Sequence, residues 1–217
     1  MEDMEIREVP INTQLFQDPS LTKGNHFKGA IKKITLENFM TYEKVTFEPE
    51  MGLNIIAGPN GTGKSSISAA ICIGLNGSPK LSGREAHLAS YIKHGTNTCF
   101  IKIVLYRGEG SRLIEIERKL TISGQSADGN KKVSSLFKID KKSMGSKEVS
   151  DKIKELGINL DNVCQYLPQE RVSEFANQKP IELLANTQKA IDNKLYTDLE
   201  IIYLQKNSRC YRFLTRF

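Results

Sequence analysis

The chemistry of this chain is concentrated in one short stretch, residues 58–65, which reads Gly-Pro-Asn-Gly-Thr-Gly-Lys-Ser. Its spacing fits the pattern G-x-x-x-x-G-K-[ST], in which glycines let backbone N–H groups approach phosphate oxygens. The lysine can reach the β- and γ-phosphates of a nucleotide, and the serine hydroxyl suits Mg²⁺. We therefore predict a nucleotide site with Lys64 as a catalytic residue and Ser65 as a metal ligand. The predicted cofactor-binding residues in this stretch are Gly58, Pro59, Asn60, Gly61, Thr62, Gly63, Lys64, Ser65 and Ser66.

Such a loop has to be positioned by a strand before it and a helix after it. The apolar run at residues 53–57 predicts a buried strand that ends at the first glycine. After the loop, one helix face is predicted to carry Ile67, Ala70, Ile71 and Leu75. Asn76 and Gly77 would end that helix. The alternative, a glycine-rich turn with a chance lysine, does not account for both flanking elements.

The rest of the chain predicts further strands and two helices. Alternating or continuous apolar residues indicate strands at 31–39, 45–47, 98–106, 113–120 and 136–140. A turn is expected at 107–112 and a loose polar loop at 123–135. Ser146 is the predicted N-cap of a helix that buries Val149, Ile153 and Leu156. Together these elements predict an α/β fold with a mixed sheet.

The last predicted helix begins at Pro180, a residue type that suits the first turn of a helix. Its apolar stripe is close to heptad spacing and comprises Ile181, Leu184, Ile191, Leu195, Leu199 and Ile202. Either a core helix or the start of a coiled coil would show this stripe.

Composition narrows the class of protein. Of the 217 residues, 39% are hydrophobic and 26% are charged, which is typical of a globular protein with a core. No apolar run approaches the length of a membrane span, so we expect no membrane partner. Residues 1–28 lack the order of a signal peptide and are predicted to be a disordered tail. The four cysteines form no C-x-x-C pair and the three histidines no cluster, which argues against zinc or disulfides and favours a reducing intracellular compartment.

The chain is basic, with a formal net charge of +6. Residues 1–28 hold three basic and five acidic side chains, so the remainder holds 28 basic and 20 acidic ones. An excess of this size suits a polyanionic partner such as nucleic acid. Charge that serves only solubility explains the excess equally well.

A second stretch makes the order of motifs specific. Residues 162–176 read Asn-Val-Cys-Gln-Tyr-Leu-Pro-Gln-Glu-Arg-Val-Ser-Glu-Phe-Ala, and Lys-Pro-Ile-Glu-Leu-Leu follows at 179–184. With the phosphate loop about a hundred residues earlier, this resembles the N-terminal head half of structural maintenance of chromosomes proteins. The resemblance covers residues 29–205. It implies the N-terminal lobe of an ABC-type ATPase head with a phosphate loop, followed by the start of a coiled-coil arm.

The resemblance implies site residues and boundaries. Gln169 matches the family's glutamine that binds Mg²⁺ and places the attacking water, with Gln165 as a competitor for that role. Arg84 falls where the family has an arginine loop that faces nucleotide and DNA, although a solvated arginine in a turn is an equal alternative. Residues 81–84 imitate the ATPase signature, but the family carries that signature in the C-terminal head half. The expected domains are a tail at 1–28, a head half at 29–179, a coiled-coil start at 180–206 and an atypical tail at 207–217.

The resemblance also implies a function and partners. The implied cofactors are ATP and Mg²⁺. The implied partners are DNA, the head of a second family member, a kleisin and other subunits, including a SUMO ligase, and the chain's own C-terminal head half. The implied role is nuclear and chromosomal, in chromosome maintenance and in repair of DNA double-strand breaks by homologous recombination. The family's Walker B acids and signature do not appear here, so we expect a fragment or truncated product that binds ATP without efficient hydrolysis.

Three alternatives remain to be compared with that function. A truncated product could bind DNA or a partner head without turnover. A transporter-type ATPase shares the glutamine motif, but it would carry its signature within this length. A GTPase would need Asn-Lys-x-Asp to recognise its base, and the nearest match, residues 193–196, ends in tyrosine.

Overall fold

A computed structural model describes residues 27–50, 52–82, 87–108, 112–125, 131–191, 196–198 and 201. The strands are β1 Ile31–Phe39, β2 Tyr42–Phe47, β3 Thr98–Tyr106, β4 Leu113–Gln125, β5 Lys131–Ile139 and β6 Lys142–Met144. The helices are α1 Lys64–Gly74, α2 Ser146–Glu155, α3 Val172–Ala176 and α4 Pro180–Ile191. Short 3₁₀ turns lie at Pro79–Ser82, Leu88–Tyr91 and Gln169–Arg171. The predicted tail at 1–28 lies almost wholly outside the described residues.

The strands form one six-stranded sheet in the order β2-β1-β3-β4-β5-β6. Every strand pair among the described residues is antiparallel, whereas the motifs indicated a mixed sheet. Sheet order differs from chain order at one edge, where β2 lies outside β1 and β3 pairs with the other side of β1. The phosphate loop and α1 intervene between β2 and β3. Helix α1 therefore lies in the connection that returns the chain from β2 to the far side of β1.

One face of this sheet forms the core. The alternation predicted for 31–39 and 98–106 is confirmed, since their alternate apolar side chains are almost fully buried. Ile34 pairs with Ile103 and Leu36 with Ile101, which brings apolar side chains together on the same face. Burial of each such side chain stabilises the fold by about 1.5–3 kcal/mol.

Helix α1 packs against this face over β1, β3 and β4. Ile67, Ala70 and Leu75 are buried as predicted, while Ile71 is half-buried. At the end of the helix, a Cβ on Gly74 would lie 2.6 Å from Ile103 Cδ1. The absence of a side chain at Gly74 therefore lets the C-terminal end of α1 lie close to β3.

A buried arginine on β4 holds the same, C-terminal end of α1. Arg118 on β4 is 5% exposed, and its Nη1 donates to the carbonyl of Ile73 at 2.6 Å. Its Nε donates to Ser135 Oγ at 3.0 Å, and the guanidinium lies over the Phe137 ring. Burial lowers the pKa of Arg118 to about 10, so the group stays charged at neutral pH. A cation at the C-terminal end of a helix opposes the negative end of the helix dipole.

We expect Arg118→Ala to lower the free energy of unfolding by about 3 kcal/mol, because it removes buried charge-assisted hydrogen bonds and packing. For a chain of this size the melting temperature should fall by about 6–12 °C. Thermal melts followed by circular dichroism would measure the change. Lys119→Ala, at the adjacent exposed position, is the control and should leave the melt within about 2 °C. Equal melts for both variants would contradict the role given to Arg118.

The predicted strand at 53–57 is wrong. These residues have no regular secondary structure, and Leu53, Ile55 and Ile56 are 78%, 72% and 52% exposed. No described strand pairs with them, so no described neighbour continues the sheet along their backbone. An apolar run predicts a need for burial, but it does not say which segment provides the cover.

Two further boundaries differ from the prediction. The polar loop expected at 123–135 is shorter, because β4 continues to Gln125 and β5 begins at Lys131. The side chains at the end of β4 and the start of β5 are largely exposed. Polar residues are therefore compatible with a strand there, although their composition indicated a loop. Ser146 is the first residue of α2 rather than its cap, and the N-cap is Gly145. The Ser146 hydroxyl instead accepts a hydrogen bond from Asn76 Nδ2 at 2.9 Å.

Helix α4 begins at Pro180 as predicted, but its apolar stripe does not enter the core. None of its side chains is buried, and Ile181, Leu184 and Ile191 are 82%, 60% and 81% exposed. The core-helix alternative is therefore wrong for this helix. Leu195, Leu199 and Ile202, the rest of the stripe, lie outside the residues whose side chains are described.

Candidate functional site

The phosphate loop is shaped by glycines in left-handed conformations. Gly61 has φ +84° and Gly63 has φ +99°, values that residues with a Cβ rarely adopt. A Cβ on Gly63 would also lie 2.7 Å from Thr41 Oγ1 and 2.8 Å from the Tyr42 hydroxyl. That hydroxyl donates to the carbonyl of Gly63 at 3.1 Å. The turn between β1 and β2 thus fixes the loop at the residue that precedes α1.

Lys64 closes the loop from inside. Its Nζ donates to the carbonyls of Gly58 at 2.6 Å and Pro59 at 2.7 Å. Thr62 Oγ1 donates to the same Pro59 carbonyl at 2.9 Å. The ammonium group therefore lies across the mouth of the loop, and it has a third N–H with which to contact an anion.

The start of α1 suits a phosphate group. The first turn of this helix contains no acidic residue, so its free N–H groups and the positive end of the dipole meet no competing carboxylate. The lysine adds a full positive charge at the same place. Backbone donors, a cation and a neighbouring hydroxyl are the set of groups that a nucleotide phosphate with Mg²⁺ requires. The residues present therefore fit a nucleotide.

Gln169 lies at the same place although it is about a hundred residues away in the sequence. A cavity of about 260 Å³ is lined by Lys64, Ser65 and Gln169, with Ser68 and Glu170 among its other walls. Gln169 opens a 3₁₀ turn directly after Pro168, which keeps the preceding backbone extended. The fold thus brings the two predicted metal ligands to one cavity, and their role in binding metal stays a prediction.

Gln165, the competitor, has a different environment. Its Oε1 accepts from the N–H of Asn159 at 2.6 Å. Its Nε2 donates to the carbonyls of Gly157 at 3.1 Å and Ala190 at 2.8 Å. These bonds occupy the carboxamide with backbone groups and do not direct it to the cavity of Lys64. The geometry favours Gln169 over Gln165 as the glutamine beside the nucleotide.

Tyr166 connects the Gln169 segment to α1. Its hydroxyl accepts from Ser68 Oγ and donates to the Ser68 carbonyl, both at 3.3 Å. Burial raises the pKa of Tyr166 to about 12, so its proton is retained at neutral pH. Sequence patterns missed Tyr42, Ser68 and Tyr166, because contacts between segments 21 and 98 residues apart leave no local periodicity.

Two further residues singled out by the sequence, Arg84 and Ser82, have different outcomes. Arg84 lies outside the described residues, so its role stays a prediction. Ser82, which imitates the signature serine, is buried and hydrogen-bonds to the Tyr91 hydroxyl and to the Pro79 carbonyl. Within the described part of the chain, no group of three His, Cys, Asp or Glu residues could hold a metal ion. No helix found there is long and apolar enough to cross a membrane.

The chain matches known proteins over most of its length. The family profile described as the AAA domain matches residues 33–209. Structural maintenance of chromosomes protein 5 of Schizosaccharomyces pombe is 38% identical over 184 residues, which is 83% of this chain and 16% of that protein. The Arabidopsis thaliana protein of the same name is 36% identical over 80% of this chain and 16% of its own length. The chain thus spans about a sixth of these relatives.

Solved structures show the same fold at lower sequence identity. The Smc head domain with a coiled coil and joint from Pyrococcus yayanosii has a TM-score of 0.60 at 21% identity, over 86% of this chain and 37% of that one. An Smc head bound to the C-winged helix domain of ScpA has a TM-score of 0.57 at 22% identity, over 72% of this chain and 50% of that one. The α/β fold of an ABC-type head is thereby confirmed.

These matches favour the structural maintenance of chromosomes family over a transporter-type ATPase. Relatives of the protein 5 type cover about four-fifths of this chain, and the AAA profile includes both the phosphate loop and Gln169. The chain therefore belongs to the structural maintenance of chromosomes family, in its AAA-type ATPase domain, and corresponds to an N-terminal head segment of the protein 5 type.

Proposed function

We propose that this chain binds ATP with Mg²⁺ as part of an ATPase head that acts, together with structural maintenance of chromosomes protein 6, in chromosome maintenance and in double-strand break repair by homologous recombination. One observation carries the proposal: Lys64, Ser65 and Gln169 line a single cavity at the start of α1. Family membership and protein 6 relatives, such as that of Dictyostelium discoideum at 30% identity, support the wider role.

Each residue has a separate task in that proposal. Backbone N–H groups of the loop and the Lys64 ammonium would hold the phosphates. The Ser65 hydroxyl and the Gln169 carboxamide oxygen would hold Mg²⁺, a cation that prefers oxygen ligands. The bound metal would neutralise charge on the β- and γ-phosphates. The Tyr166 hydroxyl bonds to Ser68 and would hold the segment that carries Gln169 against α1.

We expect Gln169→Ala to weaken ATP binding by about threefold to tenfold in the presence of Mg²⁺, because one neutral ligand to the metal is removed. ATP binding with Mg²⁺ chelated should stay unchanged, since the residue would contact nucleotide only through the metal. Isothermal titration with and without Mg²⁺ would measure both affinities. Gln188→Ala, at an exposed position on α4, is the control. Equal losses with and without Mg²⁺ would contradict the role of Gln169, and no ATP binding by the unaltered chain would contradict the proposed function.

The proposed partners follow from the family. They are the protein 6 head, a kleisin and other subunits, the C-terminal head half, and DNA, at the chromosome in the nucleus. The Smc head that binds ScpA supports the kleisin. The exposed apolar stripe on α4 supports the start of a coiled coil there.

DNA would meet the outer face of the sheet at β4 and β5. Lys119, Lys132 and Lys138 are exposed, and alternation places them opposite the buried side chains of the same strands. The nearest acidic groups on β4, Glu115 and Glu117, form ion pairs with Lys102. This leaves a surface on which positive charge predominates, as a phosphate backbone requires.

We expect this chain to bind DNA weakly and without sequence preference, with affinity that falls steeply as salt rises, because bound lysines release counterions. Replacing Lys119, Lys132 and Lys138 together by glutamine should reduce the slope of log affinity against log salt by about 0.9 for each DNA phosphate that is no longer neutralised. Fluorescence anisotropy with double-stranded DNA at several salt concentrations would measure the slope. Glutamine at Lys80, Lys93 and Lys154 is the charge-matched control. A slope that is flat, or that both triple variants share, would contradict this surface.

A product that binds DNA or a partner head without turnover is the second candidate. The exposure of Leu53, Ile55 and Ile56 beside the phosphate loop favours it, since one side of the nucleotide site is open to water. The two candidates differ in whether ATP is hydrolysed.

A further inference from the structure

Helix α4 is held to the rest of the chain without a buried side chain of its own. Instead, two side-chain amides from the preceding segment bind its backbone. Asn162 Nδ2 donates to the carbonyl of Asn186 at 2.8 Å, and Gln165 Nε2 donates to the carbonyl of Ala190 at 2.8 Å. The two carbonyls are four residues apart and therefore lie on one side of the helix.

Both amides are fixed at their other ends. Asn162 is 6% exposed, and its Oδ1 accepts from the N–H of Cys164 at 2.9 Å. Gln165 also bonds to backbone groups at Gly157 and Asn159, directly after α2. Gln165 uses both N–H groups and its oxygen in these bonds, and Asn162 uses one N–H and its oxygen, so the hydrogen bonds set the orientation of each carboxamide. The amides therefore define where α4 lies relative to the segment that carries them.

The same segment leads to the nucleotide cavity. Tyr166 follows Gln165 directly and bonds to Ser68 on α1, and Gln169 lies three residues further on. One short segment is thus fastened to α4 by Gln165, fastened to α1 by Tyr166, and ends at the cavity of Lys64. A displacement at either end has to move the other or break one of these hydrogen bonds.

We propose that Asn162 and Gln165 are positioning residues that fasten α4 to the Gln169 segment, so that the orientation of α4 and the geometry of the nucleotide cavity change together. The coupling to nucleotide rests on the proposed function; the fastening itself does not. Coupling of this kind is reciprocal, so a constraint on α4 must alter nucleotide affinity by the same factor as nucleotide alters α4.

Hydrogen exchange on the 217-residue chain tests the fastening and the coupling separately. Gln165→Met removes the amide at similar volume, and Gln188→Met, on the exposed side of α4, is the matched control. Without nucleotide, α4 amides should exchange about tenfold faster in Gln165→Met, because opening of the helix no longer breaks that bond. With ATP and Mg²⁺, exchange in α4 should slow in the unaltered chain but not in Gln165→Met. Slowing at the phosphate loop should remain in both.

A third variant separates the bonds that Gln165 donates from the bond that it accepts. Gln165→Glu keeps an acceptor for the N–H of Asn159 but cannot donate to Ala190 or to Gly157. It should therefore behave as Gln165→Met does in α4. Normal α4 exchange and a normal nucleotide response in Gln165→Glu would show that donation to α4 is not the link, and would overturn the proposal.

A reversible crosslink tests reciprocity in a protein that is already folded. Cys164 Sγ lies 3.9 Å from Thr187 Oγ1, so Thr187→Cys places two thiols within reach of a disulfide between the segment and α4. Oxidation should raise the affinity for ATP with Mg²⁺ by at least about threefold relative to the reduced form, because nucleotide and crosslink favour the same fastened position of α4. The unaltered chain with the same oxidant is the control.

The outcomes are distinguishable. Unchanged α4 exchange in nucleotide-free Gln165→Met overturns the fastening. An intact nucleotide response in that variant, or equal affinity of the oxidised and reduced crosslink variant, overturns the coupling. Failure of the unaltered chain to bind ATP contradicts the proposed function, and the nucleotide-free comparison still decides the fastening. If Gln165→Met does not fold, Gln165→Glu and the crosslink decide.

Discussion

Lys64→Ala is expected to weaken ATP binding by at least about tenfold, and by up to about 150-fold, since charge-assisted contacts of this kind contribute about 1.5–3 kcal/mol. Lys64 lines the cavity, and its ammonium already bridges the carbonyls of Gly58 and Pro59. The variant therefore loses both the cation that would contact the phosphates and the two hydrogen bonds that stabilise the loop. Isothermal titration with ATP and Mg²⁺ would measure the loss.

Two controls make this result specific. Lys80→Ala removes an equal charge from an exposed position outside the loop and should change affinity by less than about twofold. Circular dichroism should show that Lys64→Ala retains its fold, since the side chain is not part of the core. Undiminished affinity for ATP in folded Lys64→Ala would show that Lys64 does not contribute to nucleotide binding.

Local patterns predicted the parts of the fold in which a segment packs through its own periodicity. The alternation in β1 and β3 identified their buried side chains, and the spacing of Val149, Ile153 and Leu156 identified the buried face of α2. These side chains contact the sheet directly, so the period of the element is also the period of its burial. The glycines and lysine of the loop were identified for a similar reason, because their spacing is set by backbone geometry.

Patterns could not identify what depends on contacts between distant segments. Residues 53–57 and the apolar stripe of α4 are both exposed. An apolar pattern indicates that a segment favours burial, but it does not identify the segment that would bury it. Two glutamines four residues apart were equivalent by type, and only the backbone groups around Gln165 separate it from Gln169. Arg118 lies on the buried face of β4, between Ile116 and Leu120. Its contact with the end of α1 gave no signal in the sequence, since that contact joins residues 45 positions apart.

The exposed segment and the open cavity bear directly on turnover. Phosphoryl transfer is achieved almost wholly by positioning and by electrostatic stabilisation in a site from which water is excluded. Here Ser65 is exposed, and the apolar side chains of the segment before the loop are more than half exposed among the described residues. A bound nucleotide would therefore contact one wall formed by the loop, α1 and the Gln169 segment, and water would meet it on the other side.

We expect the 217-residue chain, assayed alone, to hydrolyse ATP at or near the background rate even at saturating ATP and Mg²⁺. Loss of a single cation that stabilises the transition state lowers kcat by about 10³–10⁵ in related phosphoryl-transfer enzymes. A nucleotide site with one side open to water lacks several such groups. Adding the C-terminal head half and the protein 6 head should restore nucleotide-dependent pairing of the heads. It should also restore ATP hydrolysis at a slow rate. Phosphate release should be measured with and without them, with Lys64→Ala in each mixture to expose contaminating ATPases. Brisk hydrolysis by the unaltered chain alone, abolished in Lys64→Ala, would show that these residues form a self-contained catalytic site. That result would contradict the expectation that turnover requires the C-terminal head half and the protein 6 head.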